Sequence, residues 1–176
     1  GSPGSGRSHR TSNRGTGSGF LPLRYGHTRG TPLDASSAPP ATHSGLGNAL
    51  RILATRVAGE KGARLLREAI TAYRAALEVY TRANLPQDWA ATQNILGVAL
   101  RILATLVAGE EGDRLLREAI TAHRVALEVY TCDTLPQAWA RTQHNLGAAL
   151  GTLAARMAGE DRRECLSEAL GCLGNA

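Results

Sequence analysis

The chain of 176 residues carries 20 Lys and Arg residues against 15 Asp and Glu residues, which gives a formal net charge of +5. Residues 1–40 hold five arginines and the single acid Asp34, so the tail carries +4 and the remainder is close to neutral, which disfavours a nucleic-acid-binding fold. The sequence shows no apolar run near the roughly 20 residues that span a bilayer and no secretory leader. We therefore expect no membrane partner and a cytoplasmic location.

Residues 1–40 form the first predicted segment, rich in Gly, Ser, Pro, Thr and Arg and poor in apolar side chains. Such a composition cannot bury enough apolar surface to offset the entropy of ordering the backbone. We predict a disordered tail. Association of RNA with its arginines is the least favoured of the functional interpretations.

From residue 41 onward the chain is an internal repeat with a period of 50 residues. Residues 51–84 return as residues 101–134 with 8 of 34 positions changed, and the connecting residues 85–100 return as 135–150. A decayed third copy begins at Gly151, and a partial copy opens near residue 41. Self-similarity at a fixed period indicates repeated supersecondary units.

Each unit contains two helical patterns of about 20 residues, separated by a Gly-rich break. Pro86 suits the opening turn of a first helix, and Gly109 is predicted to stop that helix in a left-handed conformation. One stripe of the first helix stays apolar in every copy, and we interpret it as core: Leu46, Leu50, Leu53 and Val57; Leu96, Leu100, Leu103 and Val107; Leu146, Leu150, Leu153 and Met157.

A single hairpin cannot bury both of its faces, so consecutive units must stack and share a core. The predicted fold is all-α: an α-solenoid of antiparallel helical hairpins with about six helices. Its repeats span about 41–84, 85–134 and 135–176. The last unit ends soon after Leu173 and leaves an apolar face, which makes homo-oligomerisation the leading alternative to partner binding.

The unit resembles the tetratricopeptide repeat. Leu96, Gly97 and Leu100 match the first half of that family's signature, and the second half is matched by Ala69, Tyr73, Ala76 and Leu77. The resemblance covers residues 41–173. The period of 50 exceeds the family's usual 34 residues, and Gln93 stands where an aromatic residue is usual, so the chain is similar to a long-helix variant. The resemblance implies a scaffold that binds a partner protein or an extended peptide in a groove.

Transfer of the family's groove-facing positions selects mainly Arg and Asn, which can bond a carboxylate and an extended backbone. The selected residues are Ser44, Asn48, Arg51, Asn94, Val98, Arg101, Arg141, His144 and Asn145. A neighbouring stripe varies between copies and includes Ile95, Ile102 and Leu106. These three form either an apolar anchor pocket or a buried contact with an adjacent helix, and the sequence leaves both interpretations open.

The sequence contains no strong pattern of catalytic, cofactor-binding or metal-binding residues, and we expect no catalysis, cofactor or metal. His123 takes the place of Tyr73 in the previous copy, which favours packing over metal ligation. Cys165 and Cys172 stand in small-hydrophobe positions. The same position of every unit carries an acid, Glu68, Glu118 or Glu168, which suits a structural ion pair with an Arg. We therefore predict a protein–protein interaction scaffold; the alternative is an architectural or self-assembling segment of a larger signalling protein.

Overall fold

The structure is a computed structural model that describes Gly1 and residues 39–175. The predicted disordered tail, and with it the alternative of RNA association, lies outside the described residues apart from its two ends. All described residues except Gly1 belong to one unit, Leu33–Ala176. Residues 39–175 contain no strand and form six helices: α1 Pro40–Ala54, α2 Glu60–Val79, α3 Pro86–Leu106, α4 Gly109–Leu127, α5 Pro136–Ala154 and α6 Gly159–Asn175.

The helix starts follow from local sequence. Pro40, Pro86 and Pro136 each open a first helix, where the missing N–H is not needed and the fixed φ favours helix. Gly59, Gly109 and Gly159 adopt φ of 68°, 68° and 70°, which a side chain would strain. The predicted left-handed conformation of Gly109 is confirmed, but its predicted place is wrong. The helix already ends at Leu106, and Gly109 begins α4 because the turn into the second helix needs the positive φ.

The helices pack as three hairpins, α1 with α2, α3 with α4 and α5 with α6. Neighbouring hairpins meet through α2 with α3 and α4 with α5, and α3 also touches α5. Helices joined by turns this short and packed along their length run antiparallel. The prediction of an all-α arrangement of helical hairpins is thus confirmed. No helix within residues 39–175 is both long and apolar enough to cross a bilayer.

One core cluster of buried residues runs through all three hairpins. Its most enclosed large members are Tyr73, Leu66, Leu100, Leu116 and Leu150. The predicted core stripe is buried in α3 and α5, but in α1 the prediction is wrong for two of its leucines, Leu46 and Leu53, which are about half exposed. The equivalent leucines of α3 and α5 are covered by a preceding hairpin, and no described hairpin precedes α1.

Neighbouring hairpins meet in a contact that we call the hairpin joint, and it recurs at the 50-residue period. In the first joint Arg67, Ile70, Thr71 and Arg74 of α2 face the next hairpin at Leu103, Glu111, Leu115 and Glu118. In the second joint Arg117, Ile120, Thr121 and Arg124 of α4 face Leu153, Cys165 and Glu168. The sequence period is therefore also a packing period.

Ion pairs cross both hairpin joints. Arg74 Nη2 lies 2.5 Å from Glu118 Oε1, and fifty residues later Arg124 Nη2 lies 2.6 Å from Glu168 Oε1. The prediction that the recurring glutamates serve in ion pairs is confirmed. Glu68 instead pairs at 3.2 Å with Arg64 one turn away on its own helix, since no described hairpin precedes it.

Candidate functional site

A groove crosses the first helices of all three hairpins, and we call it the inner groove. It is a cavity of about 320 Å³ lined by Arg51 of α1, by Ala91, Asn94, Ile95 and Val98 of α3, and by Arg141 and Asn145 of α5. Repeat geometry explains it, because stacked hairpins bring equivalent faces of α1, α3 and α5 side by side.

The inner groove is basic and polar at its two outer helices and apolar in the middle. Arg51 and Arg141 bring two guanidinium groups to it, and Ile95 and Val98 supply apolar surface. Of the described residues that line it, none is acidic. The groove therefore offers donors to an anionic or carbonyl-bearing ligand together with an apolar contact.

Asn94 fixes the middle of the groove wall. Its Oδ1 accepts a hydrogen bond from Asn145 Nδ2 at 3.1 Å, which joins α3 to α5. The same oxygen lies 3.0 Å from His123 Nδ1. Because an amide oxygen only accepts, Nδ1 of His123 must carry the proton. Asn94 is almost fully buried, so it shapes the wall rather than extending into the groove.

Behind the wall, His123 is a neutral core residue. Burial, and then the nearby charge of Arg101, lower the pKa of His123 to about 4. Its ring packs so closely on α3 that a Cβ added at Gly97 would lie 2.6 Å from it. The predicted packing role of His123 is confirmed by this contact.

The same contact occurs in the first hairpin with a different polar partner. A Cβ added at Gly47 would lie 2.6 Å from the Tyr73 ring, and the Tyr73 hydroxyl donates to Asn48 Oδ1 at 3.1 Å. Burial raises the pKa of Tyr73, while a hydrogen bond and the charge of Arg51 oppose that rise. Asn48 therefore serves the hairpin interior in this structure.

The arginines at the equivalent positions of α1 and α3 have an incomplete set of partners. Nε of Arg51 and Nε of Arg101 are buried and have no hydrogen-bond partner among the described residues. A buried donor without an acceptor is unfavourable. Arg51 lines the inner groove, so an acceptor supplied there by a ligand would lie within reach of its guanidinium group.

Of the residues predicted for the site, the structure brings six together at the inner groove: Arg51, Asn94, Ile95, Val98, Arg141 and Asn145. The others, Ser44, Asn48, Arg101, Ile102 and His144, do not line the inner groove. Sequence reasoning missed Ala91, although it stands fifty residues before Arg141. A comparison of equivalent positions could have selected it.

The variable apolar stripe of Ile95, Ile102 and Leu106 was predicted to form either an anchor pocket or a buried contact with an adjacent helix, and its three residues differ in their surroundings. Ile95 and Ile102 are half-buried and pack against the core, and Ile95 also lines the inner groove. Leu106 is exposed and lines a separate depression beside Arg156 and Asp113. The three therefore do not form one shared anchor pocket.

Other chemistry-bearing groups are scattered. Cys132 is exposed and Cys172 is buried, and both are free thiols. The Cys165 thiol lies 3.9 Å from the Met157 sulfur in a mixed apolar contact. Within residues 39–175 no group of three or more His, Cys, Asp or Glu side chains could hold a metal ion.

Fold and groove together define an all-α protein of stacked helical hairpins with a basic groove across its first helices. Comparisons of the chain with family models, with curated proteins and with solved structures give no match. The likeness to the tetratricopeptide repeat therefore stays a resemblance, based on the residues that carry it.

Proposed function

We propose that the helical unit is a non-catalytic protein-binding scaffold, similar to a tetratricopeptide solenoid, and that an extended peptide segment of its partner occupies the inner groove. The observation that carries the proposal is the gathering of Arg51, Arg141, Asn94 and Asn145 from three separate helices around one cavity. Residues far apart in the sequence meet there, and the two charged ones, Arg51 and Arg141, are both positive.

The groove chemistry supports a peptide with an acidic group. Two guanidinium groups without a lining acid favour a carboxylate, and planar guanidinium donors can bond it at two points. Asn145 is partly exposed and offers an amide to the peptide backbone. Ile95 and Val98 favour an apolar side chain between these polar contacts.

The proposal is tested by selecting binders from a library of unstructured displayed peptides and measuring their affinities for the wild-type chain and for the Arg51→Ala/Arg141→Ala variant. We expect the selected peptides to contain Asp or Glu. The variant is expected to bind them at least about tenfold more weakly, since each charge-assisted hydrogen bond contributes about 1.5–3 kcal/mol.

The matched control is Arg162→Ala/Arg163→Ala, which removes the same charge from exposed positions of α6 outside the groove. It is expected to bind the peptides as the wild type does. Equal weakening by both double variants would show a general charge effect, and unchanged binding by the groove variant would remove the inner groove as the site.

A further inference from the structure

The first helix exposes apolar side chains at positions that the other hairpins bury. Leu46 is 51% exposed, whereas its equivalents Leu96 and Leu146 are 5% and 3% exposed. Leu53 is 48% exposed, and its equivalents Leu103 and Leu153 are 2% and 4% exposed. Those equivalents are covered by the preceding hairpin, so α1 presents an open half of a hairpin joint.

The last helix presents the other half. Leu170 of α6 is 70% exposed, whereas its equivalents Ile70 and Ile120 are 4% and 5% exposed. These isoleucines lie in the two internal joints, against the following hairpin. Leu170 is therefore the apolar residue that a following hairpin would cover.

Two surfaces can now be defined. The N-face consists of Leu46, Leu53, Lys61, Leu65 and Glu68, and the C-face consists of Ser167, Leu170, Gly171 and Gly174. A depression of about 380 Å³, lined by Val57, Glu60, Lys61, Arg64 and Leu65, opens at the N-face. The internal joints combine a face of each kind, so the pairing geometry is already present twice in the chain.

We propose that the occupant of the N-face is the C-face of a second copy of this chain, packed head to tail so that the hairpin joint is repeated between molecules. Leu170 of one copy would then lie against Leu53 and Leu65 of the next, as Ile70 lies against Leu103 and Leu115 within the chain. The contact continues an interface that the structure already shows.

Charges at the two faces are compatible with this pairing. Ser167 of the C-face stands at the position that Arg67 and Arg117 occupy in the internal joints. Lys61 of the N-face stands at the position that Glu111 and Asp161 occupy in the following hairpins. Arginine retained on the C-face would meet a like charge at Lys61, and serine removes that repulsion. Glu68 loses its cross-joint arginine because Gly174 stands in that place, but Arg64 already pairs with it.

The proposed contact is heterologous, because it joins two different surfaces. Such a contact does not satisfy itself in a two-fold dimer, so each added copy leaves one open N-face and one open C-face. We therefore infer an open-ended series of assemblies rather than a closed dimer.

The test is sedimentation velocity of the full chain from about 10 µM to 1 mM, a range that covers weak association. The wild type is expected to form dimers and larger species as the concentration rises. Leu53→Glu blocks the N-face and Leu170→Glu blocks the C-face, and each variant alone is expected to stay monomeric, with association weakened on the order of 100-fold by a buried charge.

A mixture of the two variants separates this proposal from other modes of association. Leu53→Glu retains a working C-face and Leu170→Glu retains a working N-face, so the mixture is expected to form 1:1 dimers that grow no further. Leu106→Glu, at an exposed residue outside both faces, is the control and should assemble as the wild type does.

Three outcomes would overturn the proposal. A wild-type chain that stays monomeric at the highest concentration shows that the N-face does not bind the C-face of a second copy. Dimers formed by one variant alone show a symmetric contact of the face that this variant retains. Assembly unaffected by either variant places the contact elsewhere. Circular dichroism checks that each variant folds, and the milder Leu53→Gln and Leu170→Gln pair replaces any that does not.

Discussion

Each hairpin packs one side chain of its second helix against a glycine of its first helix, and the three copies differ in that side chain. Tyr73 meets Gly47, His123 meets Gly97 and Leu173 meets Gly147. The hydrogen-bond partner differs as well, because Tyr73 bonds to Asn48 and His123 bonds to Asn94. Val98 stands in the second hairpin where Asn48 stands in the first, and no hydroxyl there requires an asparagine. Nε2 of His123 is buried without a hydrogen-bond partner among the described residues.

This pairing predicts a rescue between two substitutions. His123→Tyr alone buries a hydroxyl opposite Val98, which should lower the free energy of unfolding by about 1–3 kcal/mol. Adding Val98→Asn recreates the arrangement of the first hairpin and should restore most of that loss. Urea unfolding measures both variants, and Val98→Asn alone is the control; equal stabilities of the single and double tyrosine variants would disprove the pairing.

His123 also predicts a pH dependence of stability. Its pKa in the folded chain is about 4, below the usual 6.5, so the unfolded chain binds a proton first as the pH falls. The free energy of unfolding should therefore decrease from about pH 6.5 to about pH 4, by roughly 3 kcal/mol from this residue alone.

The double variant His123→Tyr/Val98→Asn isolates that contribution, because it retains every carboxylate of the wild type. The difference in unfolding free energy between wild type and variant should change across this pH window. A constant difference from pH 7 to pH 4 would show that His123 does not titrate in this way.

At the scale of helices, apolar contacts and ion pairs both cross the hairpin joints. Ile70 is nearly fully buried there, whereas Arg74 and Glu118 keep 55% and 39% of their side chains exposed. Exposed ion pairs are screened by water and contribute little, while a buried isoleucine contributes through lost water contact and close packing. The joint should therefore be held mainly by its apolar residues.

A comparison of two substitutions in one joint tests that ranking. Ile70→Ala should lower the free energy of unfolding by about 2–4 kcal/mol, and Arg74→Ala by less than about 1 kcal/mol. Chemical denaturation of both variants supplies the measurement. A larger effect of Arg74→Ala would show that the ion pairs hold the hairpins together.

The sequence predicts most at this scale. The 50-residue period, the prolines at the helix starts and the glycine turns predicted six helices in hairpins, since these signals are local. The exposure of single side chains was less predictable. Leu46 and Leu53 stand at the same repeat positions as buried leucines of α3 and α5, but no described hairpin packs against their side of α1. The groove was predicted in part: the positions transferred from the resembling family include Arg51 and Arg141, which line it. Repeat register alone does not decide this, because Arg101, at the position equivalent to Arg51, lies outside the groove, and the burial of Asn94 depends on His123 in another helix.

At the scale of the helical unit, the two proposals use different surfaces. The inner groove lies on the first helices, and the open N-face and C-face lie at the two ends of the stack. Head-to-tail assembly would place the inner grooves of successive copies in one array, which would raise the effective affinity for a partner with several binding segments. Loss of assembly should leave the binding of a single short peptide unchanged.

The three hairpins share one continuous core. The most direct test of this sharing is urea unfolding followed both by far-ultraviolet circular dichroism and by the fluorescence of Trp89 and Trp139, in the wild type and in Ile70→Ala. Both signals should change in one coincident transition, and the substitution in the first joint should shift both equally. Separate transitions, with the tryptophan signal unmoved by Ile70→Ala, would contradict a shared core.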